Sequence, residues 1–256
     1  MYIDREKALA AFREYTAHYN AEDSKVKLKI DHTYRVAGLC QRIATDIGLK
    51  QEDIDLAWLC GLLHDVGRFE QLKNYGTFND AESIDHAMYG ASILFDKGRI
   101  RDYIESEEAD SFLRNVISCH SAYRIPAEYD ERTVLFANIL RDADKIDILK
   151  VNVEVPLEEI YNVSTQELKN ADVTPEVLDS FLGERTVLRS LKKTSVDNVV
   201  GHVSLVYELV FPISLRIVAE QGYLEKLLSF ASCNPRTQAV FARMREKMDD
   251  YMKKCK

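Results

Sequence analysis

Four of the six histidines lie between positions 32 and 120, and one of them is followed directly by an aspartate. These residues are His32, His64, Asp65, His86 and His120. His64 and Asp65 end the most apolar stretch of the chain, and burying such a pair is costly unless another group satisfies it. A divalent cation would do so, because imidazole and carboxylate together suit zinc, iron, manganese or nickel. The pattern therefore favours a metal site.

A further carboxylate, Asp144, interrupts a helical segment that is otherwise largely apolar. It lies four residues after Leu140 and four before Ile148, so the three side chains share one helical face. A carboxylate on an inward face is a candidate metal ligand. We expect Asp142 and Asp147 to point elsewhere, toward solvent or into supporting contacts.

The short motifs of several common enzyme classes are absent. The sequence holds no G-x-G-x-x-G, G-x-x-x-x-G-K, G-x-S-x-G or H-E-x-x-H. Interpretations as a nucleotide-cofactor enzyme, a P-loop protein, a serine hydrolase or a zincin therefore lose support. The two remaining histidines, His18 and His202, are interpreted as packing or capping residues.

The order of the candidate ligands, and the residues around them, resemble the HD-domain superfamily of metal-dependent phosphohydrolases. The corresponding segments are DHTYRV at 31–36, LLHDVGR at 62–68, DHA at 85–87 followed by GA at 90–91, ISCH at 117–120, and ADK at 143–145. The resemblance covers about half of the chain and leaves residues 150–256 unexplained.

The presence of His86 and His120 resembles the two-metal members of that superfamily, since single-metal members lack both histidines. The resemblance implies two divalent transition-metal ions, drawn from iron, manganese, zinc, nickel and cobalt. It also implies how the candidates divide: His32, His64 and Asp144 hold one ion, His86 and His120 hold the other, and Asp65 bridges the two.

The activity implied by the resemblance is hydrolysis of a phosphate monoester or diester, nucleotides included, by a metal-activated hydroxide. Asp65 is then a catalytic residue as well as a ligand. Arg68, one turn after the doublet, and Lys145, beside Asp144, are predicted to bind the substrate phosphate. Two other classes stay open: a di-iron oxygenase of the HD type, and a regulatory module that binds a nucleotide without turning it over.

Apolar residues recur at spacings of three and four through most of the chain, which predicts an all-α fold. By resemblance this is an HD-like helical bundle with additional C-terminal helices. The apolar helix over 54–63 is predicted to end at Gly67, and Ser83 or Asp85 to cap the helix that carries His86. Pro212 is predicted to kink or split a long apolar helix over 196–219.

We expect three regions along the chain. An N-terminal helical arm over 1–20 precedes a metal-binding catalytic core over 21–150, and a C-terminal helical region over 151–256 packs on that core.

Composition narrows the possible partners of the protein. The 256 residues carry a net charge of −8, which argues against a polymeric nucleic-acid partner but not against a small phosphorylated substrate, because a bound cation reverses the local field. Five scattered cysteines without a C-x-x-C pair favour a reducing cytoplasm. The longest uncharged apolar stretch, over 56–63, is too short to span a bilayer, so we expect no membrane association.

Overall fold

The computed structural model describes residues 2–254. These residues form helices and turns and contain no strand, which confirms the predicted all-α fold. The chain divides into two compact units, the first ending at Asp144 and the second beginning at Lys145. None of the helices within residues 2–254 is both long enough and apolar enough to cross a membrane.

The first unit contains the helices that carry the candidate ligands. They are α1 (Arg5–Thr16), α2 (Ser24–Asp46), α3 (Gln51–Leu63), α4 (Val66–Tyr75), α5 (His86–Ala91), α6 (Asp110–Ser118) and the first part of α7 (Glu131–Glu154). Short 3-10 turns lie at Asp80–Glu82 and Arg99–Asp102, and a π-helical turn at Ser92–Asp96 continues α5.

Helix α3 is the centre of this unit because it is apolar on nearly every side, and residues 56–63 are all buried. It packs along α2. Gly61 permits the contact, since a Cβ at this position would lie 2.6 Å from Cα of Ala37. This close approach of the two helices brings His32, on α2, near His64, which directly follows α3.

The prediction that Gly67 ends the apolar helix is wrong. Helix α3 already ends at Leu63, and Gly67 lies in the first turn of α4. A Cβ on Gly67 would lie 2.2 Å from the carbonyl oxygen of His86 and 2.6 Å from the backbone nitrogen of Gly90. Glycine is therefore required by the contact between α4 and α5. Asp85 caps α5 by accepting two backbone N–H groups, as predicted.

The second unit continues with further helices. They are α8 (Leu157–Tyr161), α9 (Thr165–Asn170), α10 (Pro175–Leu182), α11 (Val196–Ser204), α12 (Pro212–Gln221), α13 (Tyr223–Leu228) and α14 (Pro235–Lys254). The predicted split at Pro212 is confirmed, because α12 begins there and a 3-10 turn, Leu205–Glu208, follows α11. Buried Asp197 accepts hydrogen bonds from the backbone and hydroxyl of Thr174 and organises this unit's loops.

Candidate metal centre

The six candidate ligands meet inside the first unit, although they come from separate parts of the chain. His32 lies on α2, His64 and Asp65 join α3 to α4, His86 begins α5, His120 follows α6, and Asp144 lies on α7. All are buried except Asp144, whose side chain is 18% exposed. The cluster is thus shielded on most sides and open at the Asp144 carboxylate.

The two carboxylate oxygens of Asp65 face different pairs of imidazoles. Oδ2 lies 3.6 Å from Nε2 of His32 and 3.5 Å from Nε2 of His64. Oδ1 lies 3.5 Å from Nε2 of His86 and 3.8 Å from Nε2 of His120. The cluster therefore has two halves that share one carboxylate.

Asp144 belongs to the first of these halves. Its Oδ1 lies 3.1 Å from Nε2 of His32 and 3.8 Å from Nε2 of His64. In the second half, Nε2 of His86 lies 3.0 Å from Nε2 of His120. The first half thus offers two nitrogens and two carboxylates, and the second offers two nitrogens and the shared carboxylate.

Backbone carbonyl groups fix the tautomers of two of the rings. Nδ1 of His64 lies 2.8 Å from the carbonyl oxygen of Gly61, and Nδ1 of His120 lies 2.7 Å from that of Ile117. A carbonyl oxygen can only accept a hydrogen bond, so Nδ1 carries the proton in both rings. The lone pair on Nε2 is then directed into the cluster.

A carboxylate plays the same part for His86. Nδ1 of His86 donates to Oδ2 of Asp80 at 2.7 Å, and Asp80 also accepts hydrogen bonds from Arg68 and Gln71, each at 2.8 Å. Burial alone would raise the pKa of Asp80, but the His86 hydrogen bond and the Arg68 charge outweigh it and lower that pKa to about 2. Asp80 is therefore ionised and orients the ring.

Electrostatics keep the ligand candidates in their metal-binding forms. Burial lowers the pKa of His86 and of His120 to about 4, and it also lowers the pKa of His64. These imidazoles are therefore neutral at neutral pH. Burial would raise the pKa of Asp65, but the neighbouring positive charge of Lys29 and other groups hold it well below its usual range.

This set of donors fits divalent transition metals. Neutral imidazoles combined with ionised carboxylates are the ligands that such ions prefer, whereas calcium and magnesium prefer oxygen alone. Two unprotonated nitrogens 3.0 Å apart, as in His86 and His120, repel each other unless a cation draws them together. The pairing of these rings therefore supports a cation-binding interpretation.

Arg68 and Lys145 are both held by acidic partners. Arg68 donates to Asp80 at 2.8 Å and to the carbonyl oxygen of Phe78 at 2.7 Å. Lys145 forms an ion pair with Glu208 at 2.9 Å. The role of Arg68 and Lys145 in binding a substrate phosphate stays a prediction.

Four other polar residues were considered from the sequence and are not among the six candidate ligands. Asp142 and Asp147 are buried, so the expectation that they might face solvent is wrong. The alternative, that they make supporting contacts, stays a prediction. His18 is exposed after α1. His202 lies in the second unit, where its Nδ1 is 3.3 Å from the hydroxyl of Tyr161.

Three residues that the sequence did not single out support the cluster: Lys29, Asp80 and Arg141. Nζ of Lys29 lies 2.7 Å from Asp65, and its position three residues before His32 on one helical face was a usable signal. Asp80 orients His86, and Arg141 donates to the carbonyl oxygens around His120, at 3.3 Å for His120 itself. Nothing local in the sequence distinguishes the last two.

Two comparisons with known proteins find similarity to parts of this chain. A family model described as the HD domain matches residues 30–149, the range that spans all six candidate ligands. A stretch of 67 residues is 36% identical to the 3'3'-cGAMP-specific phosphodiesterase 1 of Vibrio cholerae serotype O1, and it covers 25% of this chain and 16% of that relative. No solved structure matches the chain significantly.

Proposed function

Residues 30–149 belong to the HD-domain family, and from this premise we propose that the chain is a metal-dependent phosphohydrolase for a small phosphate ester. One observation carries the proposal. Asp65 directs one oxygen toward His32 and His64 and the other toward His86 and His120, at 3.5–3.8 Å. A carboxylate shared in this way is suited to hold two cations side by side, as two-metal hydrolases require.

The two halves of the cluster support an assignment of residues to each ion. His32, His64 and Asp144 would hold one ion, His86 and His120 the other, and Asp65 both. When bound, such ions lower the pKa of water and neutralise charge on the phosphate oxygens.

The chain's own residues prepare the site for this chemistry. Ionised Asp80 and the carbonyl oxygens of Gly61 and Ile117 hold the imidazole rings in one tautomer. Fixed rings lose little conformational entropy when they bind an ion, which favours binding. Arg68 and Lys145 are predicted to contribute positive charge for the substrate phosphate.

We infer that the substrate belongs to the nucleotide class of phosphate esters. The relative that shares 36% identity over 67 residues is named as a phosphodiesterase for 3'3'-cGAMP, a substrate of that class. Because the match covers 16% of that relative, the inference extends to the bond type and the substrate class, and 3'3'-cGAMP itself is one member of the panel to be tested.

The test is a metal-reconstituted activity assay. Protein stripped with a chelator is reloaded separately with manganese, iron, zinc, nickel and cobalt, and bound metal is counted by elemental analysis. Each form is incubated under nitrogen with 5'-nucleotides, cyclic nucleotides, cyclic dinucleotides and p-nitrophenyl phosphate esters, and products are separated by chromatography. We expect two ions per chain, phosphoester hydrolysis with at least one metal, and loss of both in Asp65→Asn.

Other outcomes would identify the alternative classes. Oxygen consumption by the iron form with an organic substrate, without phosphoester hydrolysis, would indicate an oxygenase. Nucleotide binding by the metal-loaded protein with no product from any ester would indicate a regulatory module. Either result contradicts the proposed hydrolase.

A further inference from the structure

Lys29 reaches the central carboxylate of the cluster from α2. Its Nζ lies 2.7 Å from Oδ2 of Asp65, the oxygen that also faces His32 and His64. The side chain of Lys29 is 17% exposed, whereas that of Asp65 is 3% exposed. The ammonium group therefore lies at the rim of the cluster, between the buried ligands and solvent.

The ring of Phe78 borders this rim. Nζ of Lys29 lies 5.5 Å from the ring centroid, and the guanidinium carbon of Arg68 lies 5.8 Å from the same centroid. An aromatic face at this distance attracts a cation without using its N–H donors. The ring thus keeps two positive charges beside the shared carboxylate.

The two cations meet the shared carboxylate in different ways. Arg68 donates to Asp80 and to the carbonyl oxygen of Phe78 through Nη1, while its buried Nε lies 3.6 Å from Oδ1 of Asp65 and makes no hydrogen bond within residues 2–254. An ammonium group has three N–H donors, and among residues 2–254 the hydrogen-bond acceptor of Lys29 is Asp65. Lys29 can therefore bind a further anionic oxygen while it keeps its contact with Asp65.

We propose that Lys29 binds a phosphate oxygen of the substrate and, through Asp65, limits how tightly the first half of the cluster holds a cation. The inference rests on the proposed function for the identity of the ligand, and on the Lys29–Asp65 contact for its location. An ammonium paired with a phosphate oxygen forms a charge-assisted hydrogen bond, which is stronger than a neutral one.

The second part of the proposal follows from the sharing of one oxygen. Oδ2 of Asp65 faces the ammonium of Lys29 and the imidazoles of His32 and His64, so the ammonium and a cation in that half compete for it. Removal of the ammonium then has effects of opposite sign. Phosphate binding weakens, and metal binding becomes tighter.

The experiment compares Lys29→Met and Lys29→Arg with the unaltered protein. The control is Lys27→Met, which removes an exposed lysine from the same helix. Mn²⁺ binding to chelator-stripped protein is titrated by electron paramagnetic resonance, and binding of inorganic phosphate to the Mn²⁺-loaded protein is measured by calorimetry. KM and kcat for a p-nitrophenyl phosphate ester are measured in parallel.

We expect Lys29→Met to bind phosphate about tenfold more weakly, as loss of one charge-assisted hydrogen bond implies, while its Mn²⁺ affinity is higher. Lys29→Arg and Lys27→Met should bind phosphate as the unaltered protein does. Unchanged phosphate affinity in Lys29→Met overturns the proposal, and so does a Mn²⁺ affinity that is unchanged or lower. Failure of the proposed function is distinguishable, because the two binding measurements do not depend on turnover.

Discussion

Oδ2 of Asp80 accepts a hydrogen bond from Nδ1 of His86 at 2.7 Å, while Nε2 of the same ring faces Asp65. One imidazole thus joins the second half of the cluster to a carboxylate outside it. Asp80 is held in turn by Arg68 and Gln71. The hydrogen bonds that connect Arg68 to Asp80 and Asp80 to His86 fix the direction of the lone pair on Nε2 of His86.

Removal of this carboxylate should weaken metal binding. Loss of an outer hydrogen-bond partner of a histidine ligand typically lowers metal affinity by about 10–100-fold, so Asp80→Ala should show a loss in that range for one of two ions. Asp80→Asn retains an accepting oxygen without the charge, so its metal affinity should lie between that of Asp80→Ala and that of the unaltered protein. Calorimetric titration of chelator-stripped protein with Zn²⁺ measures both variants.

Glu82→Ala is the matched control for this prediction. Glu82 lies in the same 3-10 turn as Asp80, but its side chain is exposed. Its replacement should therefore leave metal affinity equal to that of the unaltered protein. Equal affinities in Asp80→Ala and Glu82→Ala would show that Asp80 does not support a metal ligand.

Arg141 should be required for the turn that carries His120. Its guanidinium donates to the carbonyl oxygens of Cys119 and His120, each at 3.3 Å, and to that of Ala122. Lysine cannot reproduce this planar set of donors. Arg141→Lys should therefore lower the free energy of unfolding by about 1–3 kcal/mol, the cost of leaving buried polar groups unpaired, as measured by urea denaturation.

Arg124→Lys is the control for Arg141→Lys. Arg124 is exposed two residues after Ala122, and its guanidinium lies over the ring of Tyr123. Its replacement should change the free energy of unfolding by less than about 0.5 kcal/mol, as is usual for surface substitutions. If both variants lost the same stability, the buried donors of Arg141 would not be the cause.

The six candidate ligands could be selected from the sequence because their types are rare and their order is informative. Histidine occurs only six times in this chain, so four histidines at the ends or on the inner faces of predicted helices stand out. Helical spacing also placed Asp144 on an inward face. The structure brings the six together, and their roles as ligands are proposals that the metal titrations test.

The supporting residues could not be selected in the same way. Lys29 is one of 34 lysines and arginines, and only its spacing of three residues from His32 sets it apart from Lys25 and Lys27. Its partner, Asp65, lies 36 residues along the chain, and only tertiary packing creates that contact. Gly67 was misinterpreted for a similar reason, because its requirement comes from α5 and not from the end of α3.

The contact between α4 and α5 provides a prediction about stability. A Cβ on Gly67 would lie 2.2 Å from a backbone oxygen, and backbone atoms cannot move aside as a flexible side chain can. Gly67→Ala should therefore lower the free energy of unfolding by about 1–3 kcal/mol, the usual range for overpacking. It should also weaken metal binding, because His86 belongs to the displaced helix.

Gly38→Ala should have the opposite effect on stability. Gly38 lies inside α2, and a Cβ there would meet nothing within 4 Å. Alanine stabilises a helix interior relative to glycine by up to about 1 kcal/mol. Urea denaturation of both variants tests the pair, and a destabilised Gly38→Ala or an unaffected Gly67→Ala would contradict the close-packing explanation.

His202 should make the second unit sensitive to acid. Burial, with a smaller contribution from the charge of Lys192, lowers the pKa of His202 to about 3 from its ordinary value of 6.5. The unfolded chain therefore takes up this proton at a higher pH than the folded chain does. The stability that the folded chain has with a neutral, buried His202 is fully present above pH 6.5, and it is lost progressively as the pH falls from 6.5 toward about 3.

Replacement of His202 by a residue that does not titrate should reduce this dependence. In His202→Gln the free energy of unfolding should fall less between neutral and mildly acidic pH than in the unaltered protein, as measured by urea denaturation at a series of pH values. His18→Gln, which removes an exposed histidine, controls for the general effect of losing an imidazole. Equal slopes of the free energy of unfolding against pH in His202→Gln and His18→Gln would contradict this prediction, because burial of the His202 ring would then have no consequence for its protonation.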